Sequence, residues 1–172
     1  MSTRVVADPI EFAAKLNKAL AFENQQWSHF PLWGDVLIGR PDYHLHRMLS
    51  GISALVAGEV ISYVASDLHP SEDRDNCNYS VTVFTGRHVV LAQRAAGEDW
   101  PTITLMRRRD LLSIALENAP ITTISVLDHG PDRGNLTVKL GYPSIGISLA
   151  PDRHYEGHLA NFLPSLMADL DA

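Results

Sequence analysis

The chain has a single cysteine, Cys77, among its 172 residues. One cysteine excludes an intrachain disulfide and any zinc site built from several thiolates. Cys77 follows Asp73-Arg74-Asp75-Asn76, where nearby carboxylates disfavour the thiolate, so it reads as an unreactive loop thiol. Long apolar runs are missing too. A helix crossing a bilayer needs about 20 consecutive apolar residues, and the longest candidate, Ile52 to Val64, is interrupted by Gly58 and Glu59. Met1-Ser2-Thr3-Arg4 leads through Val5-Val6-Ala7 into Asp8-Pro9, which does not read as a signal peptide. The expectation is a cytoplasmic protein with no membrane partner. Positive charge is scarce: 14 Lys and Arg face 20 Asp and Glu, a net charge of −6. That balance lacks the footprint of phosphate-backbone binding and argues against nucleic acid. The glycine-rich phosphate cradles Gly-x-Gly-x-x-Gly and Gly-x-x-x-x-Gly-Lys are absent, as is the Gly-x-Ser-x-Gly nucleophile elbow.

What remains is ordinary globular composition, 45% apolar and 20% charged, at a length that suits one domain. A first helix starts with Asp8 as cap, Pro9 at the first helical position and Glu11 where a capping-box acid belongs. Phe12, Ala13, Leu16, Ala19 and Leu20 form its apolar stripe, which fades near Asn24. An aromatic connection, Trp27-Ser28-His29-Phe30-Pro31-Leu32-Trp33-Gly34, follows, and Val36-Leu37-Ile38 reads as a short strand. Pro41 to Gly58 is a second helix, with Leu45, Met48, Leu49, Ile52, Leu55 and Val56 at helical spacing and Gly58 closing it. Gly51 is out of place there, since glycine weakens a helix by about 1 kcal/mol relative to alanine.

From Glu59 the period changes to two. Val60 to Ala65 is a strand, and Ser66 to Asn78 a polar loop. Tyr79, Val81 and Val83 face opposite to Ser80, Thr82 and Phe84, and Gly86-Arg87 suits a two-residue type II′ hairpin into His88–Arg94. Thr102–Arg107 alternates again, 110–118 fits either strand or helix, and Ile121–Leu127 is β-rich. Leu136, Val138 and Leu140, then Ile145, Ile147 and Leu149, form the inner faces of two antiparallel strands. A closing helix from Pro151 carries Tyr155, Leu159, Phe162, Leu163, Leu166, Met167 and Leu170 on one stripe, with a kink or break expected at Pro164.

This order describes an α+β domain of about seven antiparallel strands: a helical N-terminal layer over 1–58, then antiparallel β-structure and a C-terminal helix over 59–172. The hairpin Tyr79–Arg94 (YSVTVFTGRHVVLAQR), the basic Arg107-Arg108-Arg109-Asp110 and the closing strand–helix resemble bacterial PH-like (pleckstrin-homology-like) domains. The resemblance covers about two-thirds of the chain. It implies a strongly bent antiparallel barrel plugged by the terminal helix. The alternative is a helix-grip (START-like) fold, which implies an internal ligand cavity.

Chemistry is sparse. His44-x-His46 could share a metal only on a strand; on a helix the two rings point about 200° apart. His154 and His158 are four apart on the terminal helix, on the face away from its apolar stripe, and read as solvated. Asp128, His129, Asp132 and Arg133 crowd a loop whose Gly and Pro content already accounts for a turn. Arg107-Arg108-Arg109 suits partner docking or protection of a strand edge. Trp27, Phe30, Trp33 and Tyr43 are the candidate ligand- or partner-binding residues, because aromatic side chains anchor interfaces; packing between layers is the other reading. The functional expectation is therefore a non-catalytic binding or scaffold module with no cofactor and no metal. Its partner is unidentified or a second copy, giving a homo-oligomer. The alternatives are a helix-grip small-molecule carrier and a metal-dependent hydrolase using His44 and His46.

Overall fold

The computed structural model describes residues 8–24, 27, 43–69, 78–117, 136–150 and 156–172. Its elements are α1 (Pro9–Glu23), α2 (Tyr43–Val56), β1 (Ile61–His69), β2 (Asn78–Thr85), β3 (His88–Arg94) and β4 (Thr102–Arg107), then a 3-10 turn (Arg108–Asp110), β5 (Ser113–Glu117), β6 (Thr137–Gly141), β7 (Gly146–Leu149) and α3 (Glu156–Leu170). The class is α+β, as the sequence predicts. The described strands do not close into one barrel, however. They form two antiparallel sheets, β1-β2-β3-β4 and β5-β6-β7. The chain forms two compact units, Met1–Arg108 and Arg109–Ala172. The change of period at Gly58 therefore lies inside the first unit, because α1 and α2 bury their stripes on the sheet that follows them.

In the first unit, Asp8 caps α1 by accepting the Ile10 N–H at 2.9 Å. Glu11 does not complete a capping box; its carboxylate holds Lys15 one turn on, at 2.8 Å. Phe12, Ala13, Leu16 and Leu20 of α1 and Leu45, Met48, Leu49, Ile52 and Val56 of α2 are buried in one cluster with one face of the sheet. That face is Val64 and Leu68 of β1, Tyr79, Val81 and Val83 of β2, and Val90 and Ala92 of β3. The register places Val64 opposite Val83 and Val83 opposite Val90, so the valines form a cross-strand row under the helices. Tyr63, Phe84, Val89 and Leu91 on the other face are buried as well. A sheet buried on both faces explains why β3 is apolar from Val89 to Ala92 and why Thr82 and Thr85 of β2 are buried too.

Strand β1 runs four residues past its sequence-predicted end, to His69. Ser66 and Asp67 are polar enough to read as loop, yet the ladder carries them opposite Val81 and Ser80. The β2–β3 connection has two residues, as expected, but Gly86 does not take the left-handed φ of a type II′ turn; Gly58 (φ 100°) and Gly97 (φ 84°) do take it. Gly58 closes α2 in the manner of a C′ glycine. Gly51 has a packing reason: a Cβ there would run into Ile103 Cδ1 of β4.

In the second unit, β5 resolves the ambiguity of 110–118 as a strand. Val138 and Leu140 of β6 lie opposite Leu149 and Ile147 of β7, and all four are buried. Gly141 faces Ser113 across the β5–β6 ladder so closely that a Cβ would meet its Oγ. Helix α3 continues through Pro164 without dividing in two. It buries Leu159, Phe162 and Leu166, whereas Met167 and Leu170 are exposed, so its buried stripe is narrower than the sequence pattern. Among the described residues no helix is long and apolar enough to cross a membrane.

Gly51→Ala should lower stability by about 1 kcal/mol, the 1–3 kcal/mol overpacking cost exceeding the helix-propensity gain. In an Ile103→Val background, which lacks Cδ1, the same substitution should stabilise. Urea unfolding of the four proteins checks it, and equal effects in both backgrounds would refute the packing account.

Candidate functional site

The connection from α2 to β1 crosses one end of the four-stranded sheet and delivers Glu59 to the β2–β3 hairpin. The Glu59 carboxylate is divided between two partners. Oε2 accepts the Thr85 hydroxyl at 2.6 Å, and Oε1 lies 2.7 Å from His88 Nδ1. With its hydrogen given to Glu59, the Thr85 hydroxyl accepts the His88 backbone N–H at 3.0 Å; the His88 carbonyl, at 3.1 Å, is the alternative acceptor. The Thr85 carbonyl takes Arg108 Nη1 at 3.0 Å, and the Arg108 N–H donates to the Arg87 carbonyl at 2.9 Å. One side chain from each strand end thus replaces the backbone closure of a regular hairpin.

The electrostatics follow from this geometry. Glu59 is 17% exposed and His88 28%. Burial pushes the Glu59 carboxyl up, but the Thr85 and His88 hydrogen bonds and the charges of His88 and Arg87 outweigh it, so its pKa lies below the ordinary carboxylate value. With His88 protonated the contact is an ion pair; with a neutral ring, Nδ1–H donates to the carboxylate.

This is not the order of a nucleophilic triad. There the imidazole touches the hydroxyl and the carboxylate orients the imidazole; here the hydroxyl and the imidazole both bind the carboxylate. Thr85 is also fully buried, out of reach of a substrate. The arrangement clasps the turn and fixes the Glu59 carboxylate beside a half-open groove of about 470 Å3. The groove runs between α1 and the α2–β1 connection. Phe12, Ala19 and Ile61 contribute apolar lining, Val60 an exposed apolar lip, and Asp8, Glu11 and Glu59 carboxylates, with Lys15 held by Glu11.

Of the four sequence-predicted binding residues, Trp27 is buried in the first unit's core and donates its indole N–H to Asn17 Oδ1 at 3.0 Å. Tyr43 begins α2. Phe30 and Trp33 lie outside the described residues, as do Cys77, the 128–133 loop and His154. His44 and His46 are half-buried and sit two apart on helical α2, which turns their side chains to different sides. No cluster of three or more His, Cys, Asp or Glu suited to a metal occurs among the described residues. The basic run is split: Arg108 is buried in the clasp, while Arg107 and Arg109 are exposed.

The sequence reading missed Glu59, Thr85 and His88 as a group. Only the local half was available, since a two-residue hairpin necessarily brings Thr85 and His88 together. No protein family, characterised protein or solved structure matches the chain.

A carboxyl whose pKa is lowered by folding contributes stability above its unfolded value, and that contribution disappears as pH falls through the folded value. Glu59→Gln should therefore cost about 1.5–3 kcal/mol near neutral pH, the range for hydrogen bonds to a charged group. The gap between the two proteins should close below the ordinary carboxylate value of 4.5. Urea titrations from about pH 7 to about pH 3 read the effect; a gap independent of pH would show that Glu59 acts through shape alone.

Proposed function

We propose that the protein is a non-catalytic binding module and that its ligand seat is the groove between α1 and the α2–β1 connection. The observation that carries this reading is the composition of the groove: apolar lining from Phe12, Ala19 and Ile61 together with the carboxylates of Asp8, Glu11 and Glu59. A volume of about 470 Å3 falls in the range of small-molecule sites. Lys15 is the cation in this lining, and Glu11 holds it. The groove therefore suits a small amine with an apolar body, the ammonium at the carboxylates and the hydrocarbon on the apolar lining. The clasp keeps Glu59 ionised and in place, which favours electrostatic recognition without reorganisation.

A binding role fits the chemistry better than catalysis, because the hydroxyl of the cluster is buried and bonded to the acid instead of the imidazole. The carrier alternative differs only in where the ligand sits. A helix-grip carrier encloses it within the sheet, whereas this groove lies outside the sheet, against α1. The PH-like relationship remains part of the proposal through the Tyr79–Arg94 hairpin.

Phenethylamine and hexylamine serve as probes. Both should shift the amide resonances of α1 and of 58–61 saturably, while phenylacetate should not. Ala19→Phe, which adds bulk to the lining, should abolish the response and leave the remaining spectrum folded. Equal shifts with the anionic analogue, or shifts unaffected by Ala19→Phe, would refute the assignment.

A further inference from the structure

A second surface of the first unit follows the edge of β4, and none of its residues lines the groove. Among the described residues β4 is an edge strand, paired with β3 on one side. Its sequence, Thr-Ile-Thr-Leu-Met-Arg, has no charge before Arg107 and no proline, so the usual blunting devices are absent over its first five residues. At the start of β4 the Arg47 guanidinium of α2 lies 3.2 Å over the centre of the Trp100 ring, and Trp100 is nonetheless 60% exposed. Three residues on, Ile103 packs against Gly51, one helical turn after Arg47. From Gly51 and Ile103 onward the next helical turn, about 6 Å, matches two strand residues, about 6.6 Å. The next step along both brings Leu55 and Leu105, which are 44% and 42% exposed. An apolar strip accordingly follows the strand edge from Trp100 to Leu105.

Its charge is uneven along the edge. Arg47 stands at one end, and the exposed Arg87 and Arg107 at the other, brought together by the Arg108 to Arg87 backbone bond. The exposed Glu98 and Asp99 stand beside Trp100 and offset Arg47, so the basic end of the edge is the one at Arg87 and Arg107. Among the described residues the outer edge of β4 has no paired strand, and its Arg87 and Arg107 end has the charge that suits an acidic partner.

We propose that β4 binds an extended acidic peptide segment of another protein as a fifth strand. Backbone hydrogen bonds to the β4 edge would hold it, alternate apolar side chains would lie on Trp100, Leu55 and Leu105, and its carboxylates would meet Arg87 and Arg107. Arg107 as a simple gatekeeper against aggregation is the competing role, and charge reversal separates the two: a glutamate guards an edge as well as an arginine does but repels an acidic strand.

The probe is a fluorescein-labelled ten-residue peptide of alternating glutamate and valine, followed by anisotropy with the full-length protein. The alternating lysine and valine peptide is the control. Saturable binding of the acidic peptide is expected, weakening as salt rises, together with slower amide exchange across Thr102–Arg107. Arg87→Glu combined with Arg107→Glu should weaken it about three- to tenfold, the scale of two exposed charge contacts. The double variant should keep the parent's far-UV circular dichroism and urea midpoint, so that weaker binding reports lost charge contacts; a loss of binding that comes only with unfolding would overturn the proposal. Absence of binding, equal binding of the lysine peptide, or unchanged amide exchange in β4 would overturn the proposal. So would light scattering that shows the edge already occupied by a second copy.

Discussion

Everything described in the first unit depends on two short helices burying their apolar stripes on one face of a four-stranded sheet. Leu16, Leu20, Met48 and Ile52 are almost wholly removed from water against a floor of Val64, Val81, Val83 and Val90. Burying a leucine- or isoleucine-sized side chain contributes about 1.5–3 kcal/mol, so this contact is the largest favourable term in view. It fixes the distance between α2 and β4, which is why Gly51 and Ile103 meet with no room for a Cβ. It also determines where the apolar cover ends. Two helices do not cover the whole sheet, and Leu55 of α2 and Leu105 of β4 remain exposed.

The polar clasp solves a problem that this packing creates. The chain must leave α2, cross the sheet end and enter β1, and the β2–β3 turn beneath lacks the left-handed glycine that would close it through backbone bonds. A partly buried carboxylate is costly unless its oxygens are satisfied. Glu59 is satisfied twice, by a hydroxyl and an imidazole from either side of the turn, and the net effect favours its ionised form. Arg108 completes the closure from the end of β4 by taking the carbonyl of Thr85. A buried arginine in a run of three therefore has a structural use, while its neighbour Arg107 points its charge outward.

The parts legible in the sequence were those set by local chemistry. Asp8-Pro9 marked the start of α1, the stripe from Phe12 to Leu20 its buried side, Gly58 the end of α2, and the alternation after Tyr79 the direction of each side chain in β2. The failures were non-local. Ser66 and Asp67 read as loop because their composition is polar; only pairing with β2 makes them strand. Gly51 looked like a weakness in a helix because its partner, Ile103, is 52 residues further on. The clasp joins Glu59 to residues 26 and 29 positions away, a separation at which no spacing rule operates. Trp27 shows the same limit: its side chain suits an interface or a core, and its burial and its bond to Asn17 depend on the fold.

Net charge is a poor guide to the surfaces of this protein. A value of −6 argues against a polyanionic partner only if the charge is spread evenly, and in the first unit it is not. Asp8, Glu11 and Glu59 gather at the groove, whereas Arg47, Arg87 and Arg107 follow the β4 edge. Screening at physiological ionic strength acts over about 8 Å, shorter than the span of a strand of six residues, about 20 Å. A ligand at either surface therefore experiences the local sign and very little of the total. An acidic protein can therefore carry a basic stretch of strand edge, and the two surfaces meet at the β2–β3 hairpin, where the charge of Arg87 acts on Glu59.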